Sequence, residues 1–356
     1  VDITAAEQAA MSRALELAAT PGIPLGPNPR VGCVLLADDG RTISEGFHRG
    51  AGTAHAERDA LDHAGEAARG ATAVVTLEPC NHTGRTGPCS EALIAAGVRR
   101  VVFAQGDPNP VAAGGATRLR EAGIEVVEGW ARDQARALNR VWTFAVEHGR
   151  PFVTWKFATT LDGRSAAVDG TSRWVSGLAS RRDTHRLRAL CDVMLVGANT
   201  VAVDDPRLTV RDDADQDLAR QPLRVVMGKR DLDPGRRVFT PSSDGAAETI
   251  QLRTHDPREA LAELFARDRQ HVFLEGGPTL AAAFLRAGLV DEVVVYVAPL
   301  LLGAGTSAVG DLGITTMTDA LSLEVADVTV LADAGDGQTD VRMTLTPRPH
   351  TREREA

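Results

Sequence analysis

One histidine, one glutamate and two cysteines between residues 55 and 89 have types and spacing suited to metal chemistry. They stand as His55-Ala56-Glu57, Pro79-Cys80 and Pro88-Cys89. An imidazole and two thiolates suit zinc, and three such ligands leave a fourth position for water. Zinc lowers the pKa of that water toward ~7, and a carboxylate two residues after the histidine can shuttle its proton. The layout points to hydrolytic removal of an amine from a ring carbon. His55, Cys80 and Cys89 would hold one Zn2+ per chain, with Glu57 as the catalytic acid and base. Alone, His55 could be an ordinary surface or core histidine, and each cysteine a small buried hydrophobe. Glu57 could merely favour a helix N-terminus. Order and spacing together carry the zinc reading. Cys89 opens an expected helix, whose amides and dipole favour a thiolate there. Glu78, just before Pro79, receives no role.

The elements that must position these residues alternate. Val31–Ala37, Ala71–Leu77, Arg100–Gln105 and Ile124–Val127 are expected strands. The residues 1–19, His55–Gly65, Ser90–Ala96, Ala116–Ala122 and Asp133–Glu147 are expected helices, the first amphipathic through Met11, Ala14, Leu15 and Ala18. This alternation predicts an α/β sandwich, a sheet covered by helices. Gly149-Arg150-Pro151 supplies a break. A second alternating half follows, with strands at Phe152–Ala158, Val193–Val196, Leu223–Met227, Val272–Leu274 and Glu292–Val297. Its expected helices are Ser180–Ala189 and Pro278–Ala287. Residues 211–221 read as a polar surface loop. The expected domains are 1–148, 149–346 and a charged, flexible tail at 347–356.

At 356 residues the chain suits two domains, each able to bury a core without disulfides. Hydrophobic content of 43% and charged content of 24% are ordinary for a globular protein. A net charge of −9 argues against a surface that coats nucleic acid. Four cysteines are too few for a disulfide framework in this length, and reduced thiols fit a cytoplasmic location. No apolar run is long enough to cross a bilayer, so no membrane partner is expected.

In the second half no Gly-x-Gly-x-x-Gly follows a strand. Phe273-Leu274-Glu275-Gly276-Gly277-Pro278 instead places a Gly pair between a strand and a helix that begins at Pro. Such a turn can cradle phosphate through its amides, and is also a common strand-to-helix connection.

Eight residues separate Cys80 from Cys89, where the common signature has two. The longer form, Pro79-Cys80 … Gly84-Arg85-Thr86-Gly87-Pro88-Cys89, resembles the deaminase half of the bifunctional riboflavin-biosynthesis deaminase–reductases. That family usually has Pro where this chain has Gly87. The resemblance extends to Asn28-Pro29-Arg30-Val31-Gly32, Gly46-Phe47-His48 and Asp107-Pro108-Asn109-Pro110, although the next segment, Val111 to Gly115, is slightly shifted. It implies that Asn28, His48, Arg85, Asp107 and Asn109 bind the deaminase substrate. Their bland readings are turn formers and solvated charges.

The second half is similar to the same family's reductase half through Phe157-Ala158-Thr159-Thr160-Leu161-Asp162-Gly163-Arg164, Ser172-Arg173-Trp174, Gly197-Ala198-Asn199-Thr200-Val201 and Asp204-Asp205-Pro206-Arg207-Leu208-Thr209. The resemblance covers nearly the whole chain. It implies a cytidine-deaminase-like α/β/α sandwich followed by a dihydrofolate-reductase-like α/β domain. Ala158, Trp174, Thr200, Asp204 and Gly277 would meet NADPH; Lys156, Ser172, Arg188, Leu208, Arg211 and Glu275 would meet the reductase substrate. Arg188 and Arg211 suit a phosphate. Trp174 could simply be core, and Thr200 a helix cap. The family often has Asp-Ser where this chain has Gly228-Lys229.

The implied reactions are deamination of 2,5-diamino-6-ribosylamino-4(3H)-pyrimidinone 5′-phosphate, then reduction of its ribosyl group to ribityl by NADPH. The implied partner is this small phosphorylated pyrimidine, and the chain is expected to form a homo-oligomer. The alternative is a nucleoside or tRNA deaminase fused to a non-catalytic NADPH- or pyrimidine-binding domain. The acidic charge and the long Cys80–Cys89 spacer weigh against it.

Overall fold

The computed structural model describes residues 2–23, 26–82, 87–241, 248–333 and 335–348. The chain divides into two units, Val1–Arg150 and Pro151–Ala356. The first contains α1 (Ala5–Ala18), β1 (Gly32–Leu36), β2 (Thr42–Phe47), α2 (Ala56–Ala64), β3 (Thr72–Leu77), α3 (Cys89–Ala95), β4 (Arg100–Gln105), α4 (Gly115–Glu121), β5 (Glu125–Glu128), α5 (Arg132–Leu138) and α6 (Arg140–His148). Its sheet runs β2-β1-β3-β4-β5, with β1 antiparallel to β2 and β3, and β3, β4 and β5 parallel.

Successive strand residues point to opposite faces of a sheet. Leu35, Val75 and Phe103 therefore pack on one face with Ala60 of α2, Leu93 of α3, Leu119 of α4 and Trp142 of α6. Val34, Val74 and Val102 pack on the other with Met11 and Ala14 of α1 and Ala135 of α5. The result is the expected α/β/α sandwich. Two elements differ from expectation. Strand β2 lies beyond the Asp39-Gly40 turn. The single helix expected over 133–147 is two, broken at Asn139. That side chain accepts from the Arg30 amide and donates to the Arg30 carbonyl, both at 2.8 Å. It thereby ties the helix break to the segment that carries Asn28.

The second unit contains β6 (Phe152–Thr160), β7 (Arg164–Ala166), α7 (Leu178–Ala189), β8 (Val193–Gly197), α8 (Ala198–Asp204), β9 (Leu223–Met227), β10 (Thr249–Leu252), α9 (Pro257–Ala266), β11 (His271–Leu274), α10 (Pro278–Arg286), β12 (Glu292–Ala298), β13 (Thr306–Ser307), β14 (Leu323–Ala332) and β15 (Thr339–Pro347). Its main sheet runs β10-β9-β8-β11-β6-β12-β15-β14. The first six of these strands are parallel, and β15 and β14 close the sheet antiparallel. Alternation again divides the core. Leu195, Val225 and Leu274 meet α9 and α10, while Met194, Val196, Val226 and Phe273 meet Val201 of α8. Helix α9 and the hairpin β14–β15 were not expected from sequence. The hairpin also corrects the tail, because Pro347 ends β15 and the Arg348 amide donates to the Ser322 carbonyl. The rest of the expected tail lies outside the described residues.

Candidate active sites

His55 is the N-cap of α2 with an extended backbone, and its side chain makes no capping bond. Its imidazole turns instead to the two thiols, with Nδ1 3.6 Å from Cys80 Sγ and 3.3 Å from Cys89 Sγ. The three donor atoms lie within 4.8 Å of one another. Zinc–sulfur bonds of ~2.3 Å and zinc–nitrogen bonds of ~2.0 Å in a tetrahedron require an N···S edge of about 3.5 Å. The observed edges fit such an ion. Cys80 follows β3 and Cys89 begins α3, so a strand end and two helix starts converge on the triangle.

The first amide of α3, at Cys89, donates to Cys80 Sγ at 3.4 Å. Cys89 is the first residue of α3, as expected, and its amide serves the neighbouring sulfur. Hydrogen bonding from Cys89, opposed by burial and helped by His55, holds the Cys80 thiol down to about 4. Cys89 is pushed up because it holds the proton between the two sulfurs. Glu57 is buried one residue into α2, and burial raises its carboxyl to about 7.

Around this triangle His48 is buried, with its ring 5.3 Å from that of His55. Its Nδ1 lies 2.9 Å from the Ala54 carbonyl and its Nε2 3.0 Å from Asn28 Nδ2. A carbonyl can only accept and an amide nitrogen can only donate, so Nδ1 carries the proton. Burial lowers the His48 pKa, which favours this neutral form. Asp107 and Asn109 are half-buried, yet their side chains also cap amides of their own turn, at Asn109 and Val111. Burial pushes Asp107 up to about 6. Arg85 lies outside the described residues. His82, which sequence reasoning passed over, places Nδ1 in a buried position without a hydrogen-bond partner among the described residues. Gly115 shows why the shifted Val111–Gly115 segment still fits. A Cβ there would sit 1.7 Å from the Pro79 carbonyl oxygen, so only glycine lets α4 begin against the Pro79-Cys80 bond.

In the second unit, the parallel strands β6, β8, β9 and β11 end on one edge of the sheet, where ligands of open α/β sheets bind. Gly197–Thr200, Gly228 and Glu275–Gly277 follow three of these ends. Gly277 is the N-cap of α10, with Pro278 in the first turn, and Thr200 Oγ1 lies 4.0 Å from where a Gly277 Cβ would be. Thr200 is inside α8 and is not its cap, which is Gly197. Trp174 is 64% exposed and so is not core. The Arg181 guanidinium lies 4.6 Å over its ring. Asp204 is exposed, and its carbonyl accepts from Arg173. Ala158 is half-buried on β6 and Ser172 is exposed. Gly228 adopts φ +143°, and a Cβ there would lie 2.9 Å from Ala198 Cβ, which accounts for glycine at this position; Lys229 is exposed.

The expected substrate residues of this unit are not independent. Arg188 donates from Nε to Glu275 Oε1 at 2.9 Å and from Nη2 to Oε2 at 2.5 Å, and its Nη1 donates to the Thr209 carbonyl. The guanidinium fork expected to face phosphate therefore faces Glu275. Burial opposes the Glu275 charge, but Arg188 and then Lys156 hold its carboxyl down to about 2. Lys156 lies 5.4 Å over the Tyr296 ring, and burial lowers its pKa. The Leu208 side chain is in the core at φ +55°, leaving its backbone for any contact. Arg211 pairs with exposed Asp215, and its amide donates to His185 Nδ1. Burial, with Arg188 and Arg211 nearby, pushes His185 down to about 4.

A His-Cys-Cys triangle of zinc geometry on an α/β/α sandwich, with a buried glutamate two residues after the histidine, defines a zinc-dependent deaminase. Residues 4–105 match the cytidine and deoxycytidylate deaminase zinc-binding region, and residues 151–334 match the RibD C-terminal domain. The riboflavin biosynthesis protein RibD of Mycobacterium tuberculosis is 51% identical over 297 residues, covering 83% of this chain and 86% of that protein. Its Escherichia coli counterpart is 40% identical over 348 residues, covering 89% and 95%. The solved RibD of Acinetobacter baumannii superposes with a TM-score of 0.85 at 39% identity, covering 97% of this chain and 99% of that one. The chain belongs to the RibD family of bifunctional riboflavin-biosynthesis deaminase–reductases. Its substrate is a small molecule. Among the described residues no helix is long and apolar enough to cross a membrane.

Proposed function

We propose that residues 1–148 deaminate 2,5-diamino-6-ribosylamino-4(3H)-pyrimidinone 5′-phosphate and that residues 149–346 reduce the ribosyl group of the product to ribityl. The observation that carries the first step is the convergence of His55, Cys80 and Cys89 beside buried Glu57. These three residues would hold zinc, which supplies an activated water when bound. Glu57 would carry both protons of the attacking water, the first to the ring nitrogen and the second, released as the new carbonyl forms, to the departing ammonia. Its buried carboxyl, raised to about 7, is matched to moving protons near neutrality. Asn28 and His48, with Asp107, Asn109 and Arg85, would read the edge and phosphate of the substrate.

For the second step, Trp174, Ala158, Thr200, Asp204 and the Gly277 turn would position NADPH, which carries the hydride. Lys156, Ser172, Leu208 and Arg211 would meet the ribosyl phosphate, with Arg188 and Glu275 acting as a pair. An apolar groove of about 1190 Å³ on the second unit, lined by Val293, Val295, Leu323, Met343 and Leu345, supports assembly as a homo-oligomer. Among the described residues none of the four cysteines forms a disulfide, which supports a reducing, cytoplasmic setting.

The test is incubation of the full chain with the diaminopyrimidine ribosyl phosphate, with and without NADPH, and identification of products by mass. Deaminated product alone is expected without NADPH, and deaminated, reduced product with it. Unreduced product in both samples would refute the reductase assignment. No turnover by protein holding one zinc per chain would refute the deaminase assignment.

A further inference from the structure

We propose that Glu78 is a positioning residue for deamination, holding the segment 107–116 against the zinc ligands. This rests on the reading of Asp107 and Asn109 as substrate contacts. Glu78 follows β3 and directly precedes Pro79-Cys80, and its own amide donates to the Gln105 carbonyl. Its carboxylate gathers three amides from both ends of one loop. Oε2 accepts from the Asp107 amide at 3.2 Å, and Oε1 accepts from Gly114 at 3.2 Å and from Ala116 at 3.0 Å.

Between these anchor points the loop turns back on the metal site. The Asn81 amide donates to the Ala112 carbonyl at 2.9 Å, and Ala112 packs in one buried cluster with Cys80 and Cys89. The same loop carries Asp107 and Asn109, whose side chains cap amides within it. Glu78 therefore couples the residue before Cys80 to the loop that would read the pyrimidine. Charged acceptors make stronger bonds to amides than neutral ones. Two carboxylate oxygens can serve three converging N–H groups. A glutamine presents one oxygen and one NH2, so it must turn a donor toward at least one of them.

The full chain carrying Glu78→Gln is compared with the parent and with Asp107→Ala, using the diaminopyrimidine ribosyl phosphate as substrate. Zinc content and NADPH-dependent reduction of the deaminated compound are the internal controls. Glu78→Gln should raise the deaminase KM at least tenfold with a smaller change in kcat. It should keep one zinc per chain and unchanged reduction. The amides of Asp107, Gly114 and Ala116 should exchange with deuterium at least tenfold faster. A KM within twofold of the parent, unchanged exchange at those amides, or zinc loss with no selective rise in KM would overturn the proposal. Should Asp107→Ala raise KM while Glu78→Gln does not, Glu78 alone is refuted. Should Asp107→Ala leave KM unmoved, the substrate reading of the loop fails, and the Glu78 role is refuted with it.

Discussion

Replacing Glu275 by glutamine removes the charge that neutralises Arg188 while keeping side-chain volume. The pair is bidentate and its side chains are 14% and 12% exposed, so solvent screens it little. A carboxyl held at about 2 instead of 4.5 stabilises the folded unit by ~3 kcal/mol at neutral pH, since a tenfold change in affinity for the proton is ~1.4 kcal/mol. Removing one partner of a buried pair costs a similar ~3–5 kcal/mol. Glu275→Gln should therefore lower the opening free energy of the second unit by about 3 kcal/mol at pH 7. The sign follows from a depressed carboxyl. Its contribution is complete above about pH 4.5 and is lost as the pH falls through about 2. The difference between parent and variant should shrink across that window. Arg188→Met added to Glu275→Gln should recover part of the loss, because the second substitution removes the stranded charge. Amide exchange on β6, β8 and β11 reads the second unit separately from the first. A loss below about 1 kcal/mol, or a difference that does not change between pH 4.5 and 2, would refute the account of the pair.

Glu57→Gln should reduce deamination by about 10²–10⁴-fold while zinc stays bound and reduction of the deaminated compound is unchanged, measured by product mass and metal content. Gly115→Ala forces a methyl group against the Pro79 carbonyl. Overpacking of this kind costs ~1–3 kcal/mol, so competition with a chelator should show zinc held about tenfold or more weakly. Trp174→Ala should raise the KM for NADPH by about three- to tenfold, the worth of an aromatic stack of ~0.5–1.5 kcal/mol, and leave deamination unchanged.

Much of the fold could be read locally. Strands β1, β3 and β4 are buried on both faces and appear as short apolar runs, which sequence reasoning recovered within a residue or so. Strand β2 escaped because its burial is mixed and Glu45 sits within it, although the Asp39-Gly40 pair before it is a hairpin signal. The β14–β15 hairpin was passed over for a related reason. Strand β14 is mostly exposed, while Val341, Met343 and Leu345 in β15 offered an alternation that went unread. The break at Asn139 had no local cause, because its amide serves Arg30, 109 residues away.

The His55, Glu57, Cys80 and Cys89 set was legible because ligand chemistry requires those residue types in that order, whatever connects them. Tertiary structure alone decided how the charged groups are shared. Folding joins Arg188 to Glu275 across 87 residues, turns the Cys89 amide toward Cys80, and brings the Glu78 carboxylate to three amides of a distant loop. Side-chain type determines what a residue can bond. Which partner it meets depends on strand order and helix placement, and on the desolvation that makes an unpaired charge costly.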